Sequence, residues 1–150
     1  IGSVRLTERC VKHDPVTEDE FNMIHNIVNE QIHNIVNVWH FKPKHFVGVA
    51  GTVTTLAAIN FQLNIYDSEL VDNSILARSQ IAKIVDELKT KTIQERRLMP
   101  GLKPERADVI LSGAIILLAF MRQVNFEKVI VSDRGLRFGL LLKFFGERGL

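Results

Sequence analysis

The sequence F-V-G-V-A-G-T-V-T-T-L-A-A-I, from Phe46 to Ile59, reads as a strand, a tight turn and the start of a helix. The first five residues, Phe46 to Ala50, are mostly apolar, which predicts a strand buried on both faces. Gly51 and Thr52 then form a small-residue turn. Because Gly51 lacks a side chain, a ligand can approach the main-chain N–H groups at the helix start. The turn is a candidate anion or nucleotide site, although small residues also occupy such turns for packing reasons.

A second unit of the same kind lies near the end of the chain. Residues Glu127 to Ser132 are rich in β-branched side chains and predict a strand, the segment Asp133-Arg134-Gly135 supplies a turn, and Leu136 to Phe145 has the spacing of a short amphipathic helix. If the two strands are parallel neighbours, both turns lie at the carboxyl edge of one sheet, where open α/β folds bind ligands. Arg134 and Arg137 would then supply fixed positive charge to a phosphorylated ligand.

A central helix is predicted from Ala107 to Val124, because this segment is apolar on almost every side. Pro104 suits the first turn that leads into it. Arg106 and Asp108 stand at its polar start, where a buried charge must be paired or bound to a ligand. The residues alone leave both readings open, an ion pair within the fold or a ligand contact. Gly113 predicts that another helix packs closely against this one.

The N-terminal part predicts a strand followed by a long helix. Ile1 to Leu6 alternates loosely between polar and apolar residues, as a strand does. Thr17 and Glu20 form a capping box, in which each side chain accepts an otherwise unpaired backbone N–H group. The helix that follows should run to about Trp39, and its apolar stripe should pack on the sheet.

The histidines beside that stripe invite a metal interpretation. His25, His33 and His40 are spaced by eight and seven residues. Such spacings place them roughly 10 to 12 Å apart along a helix axis, too far for one ion to bridge. They are therefore predicted to be partly exposed side chains beside a core face, and no metal site is expected.

The middle of the chain predicts smaller elements. Ser68 to Leu76 suits a short strand with a bulge or turn at Asp72-Asn73. Ser79 is expected to cap the next helix, whose apolar residues have helical spacing. Thr92 to Leu98 predicts a further short helix. Its charged residues, which we expect on a solvated face, are Glu95, Arg96 and Arg97.

Composition limits the class of protein. The chain has 150 residues, 46% of them hydrophobic, which suits a single domain with a substantial core. Its 19 basic and 17 acidic residues give a net charge of only +2, so nucleic-acid binding driven by bulk charge is not indicated. The longest apolar run, Gly113 to Met121, is too short to span a membrane. Together with the single cysteine, Cys10, these features predict a cytoplasmic protein. The sequence contains no P-loop, dinucleotide or zinc motif.

Three segments and the opening I-G-S-V-R-L-T-E together resemble one family. The segments are V-G-V-A-G-T-V-T-T-L-A-A-I, P-G-L-K-P-E-R-A-D-V-I-L-S-G-A-I-I-L and V-S-D-R-G-L-R-F-G-L-L. They resemble, in the family's order and over nearly all of the chain, the exopolyphosphatase and guanosine pentaphosphate phosphohydrolase family. The resemblance implies an actin-like (ribonuclease H-like) α/β fold, a mixed sheet flanked by helices, in a bacterial cytoplasmic hydrolase of the stringent response.

The same resemblance implies a division of labour between two lobes. This chain, residues 1–150, is similar to the second lobe, and the first lobe is expected to be absent from it. In the family, the first lobe carries two phosphate-binding turns and the glutamate that activates water. The implied reaction is Mg²⁺-dependent hydrolysis of a terminal phosphoanhydride of polyphosphate or guanosine pentaphosphate. No catalytic residue is expected within this chain, which should be inactive alone, and the ligands of Mg²⁺ should lie mostly outside it.

Position by position, the resemblance implies a ligand-binding set from the three segments. Its members are Gly51, Thr52, Arg106, Asp108, Ser132, Asp133, Arg134, Gly135 and Arg137. Two positions depart from the family pattern. Ala50 stands where a first glycine is usual, which narrows the approach of a ligand, and Phe138 stands where an acidic residue is usual, which weakens a charge-pair role at the final turn.

Two alternatives from other classes remain open at this stage. A non-catalytic module that binds nucleotide or polyphosphate is favoured by the departures at Ala50 and Phe138. It would bind its ligand without turnover. An interaction domain would instead form a homodimer through apolar surface that faces the missing lobe. It would show concentration-dependent association and no response to phosphate ligands.

Overall fold

The structure, a computed structural model, describes residues 1–39 and 43–146. Over these residues, helices pack around a small mixed sheet. The strands are β1 (Val47–Val49), β2 (Ile75–Ala77) and β3 (Lys128–Ser132). The helices are α1 (Ser3–Cys10), α2 (Glu18–Val36), α3 (Gly51–Asn60), α4 (Ser68–Val71), α5 (Arg78–Thr90), α6 (Ile93–Arg97), α7 (Ile110–Gln123) and α8 (Leu136–Phe145), with a 3-10 turn at Pro104–Arg106.

The sheet has the order β1-β3-β2, with β3 in the middle. β1 runs parallel to β3, with Val47 opposite Ile130. β2 runs antiparallel to β3, with Ile75 opposite the same residue. The predicted parallel pairing of the two strand, turn, helix units is therefore confirmed. Both turns consequently leave the sheet at one edge.

β1 is an edge strand, and the prediction that it would be buried on both faces is wrong. Val47 and Val49 are 50% and 55% exposed. Only the face that carries Gly48 is covered, and a Cβ atom there would lie 2.9 Å from Val53 Cγ2 and 3.0 Å from Val129 Cγ2. The apolar run thus reflects one tightly packed face rather than two.

α7 is the central helix of the core, as its apolar sequence predicts. It contacts α1, α2, α3 and α5, and Ile115, Leu118 and Met121 are fully buried. Gly113 permits the predicted close packing, because a Cβ atom at this position would lie 2.8 Å from Thr52 Oγ1. The helix begins at Ile110 rather than Ala107, since the preceding residues form the separate 3-10 turn. No helix within residues 1–39 and 43–146 has the length and hydropathy to cross a membrane.

The first residues form helix α1, so the strand predicted from Ile1 to Leu6 is wrong. Leu6 and Cys10, four residues apart, are both buried, and α1 packs against α7. Thr7 Oγ1 lies 2.7 Å from Ser112 Oγ of α7, within hydrogen-bonding distance. A short segment offers few apolar repeats, and here packing against α7 decides between helix and strand.

α2 begins with the predicted capping box. Thr17 Oγ1 accepts a hydrogen bond from the Glu20 N–H group, and Glu20 Oε2 accepts one from the Thr17 N–H group. The helix ends at Val36 and packs against α7, so the expectation that its stripe would lie on the sheet is wrong. The buried members of the stripe are Ile24, Val28 and Ile32.

The segment from Ser68 to Leu76 contains a short helix, α4, before strand β2, so the predicted single strand is wrong over its first half. The Asp67 carboxylate caps α4 by accepting hydrogen bonds from the Glu69 and Leu70 N–H groups. α5 begins at Arg78 rather than after a Ser79 cap. At its start, Gln80 Oε1 accepts a hydrogen bond from the Ala77 N–H group at 2.8 Å.

Arg96 of α6 corrects the expectation of a solvated charged face. The residue is only 4% exposed. Its Nε donates to the Leu88 carbonyl at 2.9 Å and its Nη1 donates to the Ala107 carbonyl at 3.3 Å. Burial lowers the pKa of the guanidinium, and the nearby Asp14 carboxylate partly opposes that shift. Arg96 therefore ties α6 to the end of α5 and to the entry of α7.

Candidate functional site

The turns after β1 and β3 open into one cleft at the edge of the sheet. Its volume is about 860 Å³, within the range of small-molecule sites. The two turns meet there because their strands are parallel neighbours. From the predicted ligand-binding set, the cleft wall contains Gly51, Arg106, Asp133, Gly135 and Arg137.

Two helix starts contribute to this wall. α3 begins at Gly51 and α8 begins at Leu136. No side chain caps either helix, and neither first turn contains an acidic residue. The N–H groups of a first helical turn lack partners within the helix, and together with the helix dipole they favour an anion.

The charged side chains of the cleft wall are mostly positive. Among the residues that the structure describes, Lys103, Arg106 and Arg137 line the cleft together with one carboxylate, Asp133. Three positive charges and one negative charge give a local net charge of +2, although the whole chain is close to neutral. The cleft is therefore suited electrostatically to an anion that carries several negative charges.

Arg106 lies directly over the turn at Gly51. A Cβ atom built on Gly51 would lie 2.2 Å from Arg106 Nη2 and 2.3 Å from Nη1. The missing side chain at Gly51 thus makes room for a guanidinium rather than only for a ligand. The arrangement places a permanently charged cation beside the first N–H groups of α3.

Ala50, immediately before that turn, has a backbone conformation that favours glycine. Its φ is 72° and its ψ is −178°, a combination that is populated almost only by glycine. The departure from the family pattern at this residue therefore has a backbone consequence. The turn is held in a strained conformation by its surroundings.

Thr52 does not contribute its side chain to the cleft wall. Its Oγ1 faces Gly113 of α7, on the other side of α3. Thr54 and Thr55, one turn further along α3, line the cleft instead. For Thr52, ligand binding remains a prediction for its backbone N–H group.

Arg106 and Asp108 are separated by the structure, although the sequence suggests a pair. Arg106 lines the cleft, whereas Asp108 lines a small cavity of about 30 Å³ near Thr7 and His13. The described residues contain no ion pair between the two side chains. A role for Asp108 in ligand binding remains a prediction that the cleft geometry does not support.

Ser132 and Arg134 interact with Asp72, a residue that the sequence indicated only as a bulge or turn. Asp72 Oδ1 accepts hydrogen bonds from Ser132 Oγ at 3.3 Å and from the Asp133 N–H group at 3.0 Å. Asp72 Oδ2 lies 3.1 Å from Arg134 Nε. Arg134, which the sequence predicts to supply positive charge to a ligand, is thus paired within the turn, and ligand binding by Arg134 remains a prediction. Its Cζ also lies 5.8 Å from the Phe138 ring centroid.

These contacts favour the charged form of Asp72. The hydrogen bond from the Asp133 N–H group is the main factor that lowers the pKa of the carboxyl, against a smaller effect of burial. The Ser132 hydroxyl and the Arg134 guanidinium lower the pKa further. Asp72 therefore holds the turn that presents Asp133 and Gly135 to the cleft.

Sequence reasoning missed two polar residues of the cleft wall, Tyr66 and Lys103. Lys103 Nζ lies 5.2 Å from the centroid of the Tyr66 ring. Burial, and then the hydrogen-bonded Asp133 carboxylate, raise the pKa of the Tyr66 hydroxyl. The break in helical pattern between Leu63 and Asp67 was the one signal for Tyr66, because loops beside a strand edge often carry binding residues.

His25 is half-buried and His33 is exposed, as predicted for side chains beside the core face of α2. His25 packs edge-on against Phe21, with ring centroids 4.8 Å apart, and burial lowers its pKa, as do Arg122 and Lys89. His33 Nε2 lies 2.7 Å from Asn37 Nδ2. His40 lies outside the described residues. Within residues 1–39 and 43–146, no group of three or more metal-ligating side chains converges.

Comparison with known proteins gives a consistent family match. The sequence profile of the Ppx/GppA phosphatase family matches residues 1–147. The chain is 30% identical to exopolyphosphatase 2 of Mycobacterium tuberculosis, over 97% of this chain and 47% of that protein. It is 32% identical to a bifunctional 3-dehydroquinate synthase/phosphatase of Fusobacterium nucleatum, over 95% of this chain and 22% of that protein. The chain thus spans half or less of these relatives.

Solved structures match over a similar share of their length. The crystal structure of the Aquifex aeolicus member of the Ppx/GppA family superposes with a TM-score of 0.90 at 32% identity, over 100% of this chain and 48% of that one. An exopolyphosphatase from Cytophaga hutchinsonii superposes with a TM-score of 0.81 at 27% identity, over 98% and 48%. These matches confirm the predicted fold class, an actin-like α/β lobe with a mixed sheet flanked by helices.

Proposed function

The chain belongs to the Ppx/GppA phosphatase family, and from this premise we propose that it is the second lobe of a two-lobed phosphatase. In this proposal, the complete enzyme hydrolyses terminal phosphoanhydrides of inorganic polyphosphate or guanosine pentaphosphate. The first lobe lies outside residues 1–150, and this chain is inactive without it. The names of the relatives and their greater length support the proposal.

Two helix N-termini without side-chain caps and two arginines line one cleft. This is the main observation in support of the proposal. Gly51 begins α3 beside Arg106, and Gly135 precedes α8 beside Arg137. Phosphoryl transfer depends mainly on positioning and on neutralising charge spread over the phosphate oxygens. Arginine supplies a permanently charged, planar set of donors for such oxygens. These features support the binding of a phosphorylated ligand in the cleft.

The chain's own residues would bind and orient the substrate rather than activate water. The N–H groups at the start of α3 would donate hydrogen bonds to the oxygens of one phosphate, and Arg106 would neutralise its charge. Arg137 would do the same on the α8 side. The carboxylate that activates the attacking water would come from the first lobe. Asp133 is the single carboxylate of the cleft wall among the described residues, and we assign it to interaction with Tyr66.

In this proposal, Mg²⁺ would bind together with the phosphate groups of the substrate. Mg²⁺ is usually held by one or two carboxylates together with substrate phosphates and water. The described residues offer Asp133 as the one carboxylate in the cleft wall and no cluster of three ligands. These residues do not fit a complete Mg²⁺ site, so further ligands would have to come from the first lobe and from the substrate.

The test is phosphate release from long-chain polyphosphate in the presence of Mg²⁺. The chain is assayed alone and together with its natural upstream half. We expect release only with the upstream half, and we expect Arg106→Gln and Arg137→Gln to lower it. Arg122→Gln, an exposed residue at the far end of α7, is the matched control and should leave release unchanged. Phosphate release by the chain alone would mean that the water-activating carboxylate lies within residues 1–150. Asp133→Asn would then test the one carboxylate that the described part of the cleft wall contains.

Self-association is a second candidate function, and helix α8 favours it. None of its residues is buried, and Leu136, Leu142 and Phe144 are 81%, 67% and 65% exposed. A contiguous apolar surface of this kind is typical of an interaction site. Sedimentation velocity over a range of concentrations would detect a homodimer, and Leu142→Glu should abolish it. A monomer at all concentrations would remove this candidate.

A further inference from the structure

A second cavity adjoins the cleft. Its volume is about 450 Å³. Three residues, Tyr66, Gly101 and Lys103, line both cavities. The two cavities are therefore neighbours with a common wall, and Lys103 can be reached from both of them.

The charge of this second cavity is positive. Its charged residues are Arg97 and Lys103, and among the described residues no carboxylate lines it. Both side chains are exposed, and neither has an ion pair within the described part of the chain. Arg97 Nη1 makes only a long contact of 3.5 Å with Gln94 Oε1. Two uncompensated cations thus extend the positive potential of the cleft.

The common wall is fixed in position by its backbone. Gly101 has a φ of 84°, and a Cβ atom there would lie 2.2 Å from the Ala58 carbonyl oxygen. A side chain at this position would therefore collide with the backbone of α3. Lys103 follows two residues later, and its Nζ is held above the Tyr66 ring at 5.2 Å. A cation over an aromatic face is stabilised electrostatically, so the ammonium has a defined place between the cavities.

We propose that the second cavity is a subsite for the distal phosphates of a linear polyphosphate whose end is held in the cleft. This inference rests on the proposed function and narrows it, because a chain that is longer than the cleft needs a continued path of positive charge. Lys103 binds the phosphates at the junction of the cavities. Arg97 binds phosphates beyond it. Short anions occupy the cleft alone and do not reach Arg97.

The experiment measures binding of tripolyphosphate and of long-chain polyphosphate to the chain by isothermal titration calorimetry. Arg97→Gln should weaken long-chain binding by about three- to tenfold and leave tripolyphosphate binding unchanged. Lys103→Gln should weaken long-chain binding more than tripolyphosphate binding. Lys83→Gln, an exposed lysine on α5 away from both cavities, is the matched control and should change neither.

The salt dependence of polyphosphate affinity tests the same contacts independently. Linear polyphosphate is a polyanion, and each cation that contacts it should contribute about one unit to the slope of log affinity against log salt concentration. Removing Lys103 or Arg97 should therefore lower that slope for the long chain by about one unit each. A purely structural effect of either substitution would lower affinity without this change of slope.

The outcomes separate this inference from the proposed function. If the chain binds neither phosphate ligand, the distal subsite is overturned, whereas the proposed function is tested separately by phosphate release with the upstream half. If it binds both, and Arg106→Gln weakens both while Arg97→Gln and Lys103→Gln affect the two lengths equally, the cleft binds phosphate but the distal subsite is wrong. Guanosine pentaphosphate is titrated as a third ligand. Loss of its binding in the Arg97→Gln and Lys103→Gln variants, with long-chain binding intact, would assign the cavity to a nucleoside and would also overturn the inference.

Discussion

The guanidinium of Arg106 packs directly against Gly51. A methyl group on Gly51 would lie 2.2 Å from a guanidinium nitrogen. The two residues are far apart in sequence and belong to different predicted segments. Their contact joins the small-residue turn after β1 to the polar entry of α7. This part of the cleft wall thus combines the backbone of the Gly51 turn with the Arg106 side chain, and the position of each depends on the other.

We predict that Gly51→Ala weakens phosphate binding through Arg106. The methyl group displaces a flexible side-chain end rather than backbone, so the melting temperature should change little. Polyphosphate affinity should fall about tenfold, as in Arg106→Gln, and the double variant should fall no further, because both changes remove one interaction. Titration calorimetry on the four proteins completes the cycle. Losses that simply add would show that Arg106 binds independently of Gly51.

We predict that Ala50→Gly stabilises the fold. At φ 72° and ψ −178° an alanine carries roughly 1–3 kcal/mol of strain, whereas the added flexibility of glycine in the unfolded chain costs about 0.4–1 kcal/mol. The free energy of unfolding should therefore rise by about 1 kcal/mol in urea titrations. Ala77→Gly, at an ordinary φ of −75° before α5, is the control and should destabilise the chain. A decrease in both variants would refute strain at Ala50.

We predict that Asp72 controls the order of the turn after β3. Asp72→Ala removes the acceptor for the Asp133 N–H group, so hydrogen exchange of that amide should become about tenfold faster. Asp72→Asn keeps an acceptor oxygen and loses only the charge that pairs with Arg134. Its exchange rate should lie between those of the native chain and Asp72→Ala. Equal rates in all three proteins would show that the turn is held by other contacts.

We predict a loss of stability in acid that depends on Glu20. Burial raises its pKa, but hydrogen bonds from His13 and from the Thr17 and Lys12 N–H groups prevail and lower it from 4.5 to about 2. As the pH falls from about 4.5 to about 2, the unfolded chain binds a proton that folded Glu20 does not bind. The free energy of unfolding should therefore decrease across this window, by roughly 1–3 kcal/mol.

Glu20→Gln isolates that contribution. Gln still offers an oxygen to the Thr17 N–H group but has no carboxyl that titrates. Denaturation at several pH values should show a smaller stability at pH 6 and a shallower decrease between pH 4.5 and 2 than in the native chain. Parallel curves for the two proteins would mean that another carboxylate causes the acid dependence.

The sequence predicts elements whose signals are local. The capping box at Thr17 and Glu20, the strand before Asp133 and the apolar helix α7 each depend on residues within a few positions of one another, and each is confirmed. The parallel pairing of β1 and β3 followed from two similar units, and it correctly placed both turns at one edge. For this reason, five of the nine predicted ligand-binding residues lie in the cleft wall.

The structural features that could not be predicted from the sequence depend on contacts between distant segments. Helix α1 replaces a predicted strand because Leu6 and Cys10 pack against α7, which lies a hundred residues further along the chain. Asp72 pairs with Arg134 across 62 sequence positions, from 72 to 134, and Lys103 meets the Tyr66 ring through the folding of two loops. No local pattern encodes such pairs, and they decide which cations remain free for a ligand.

The two sides of the cleft differ in how firmly they are packed against the core, because helix α8 is exposed. The α3 wall is anchored in the core through Val53, Leu56 and Ala58, whereas α8 has no buried residue and its turn is tethered by Asp72. A segment with few buried contacts opens at a lower free energy than the core. We therefore expect the α8 side of the cleft to open at a lower free energy than the α3 side, which would widen the entrance for a polyanion without global unfolding.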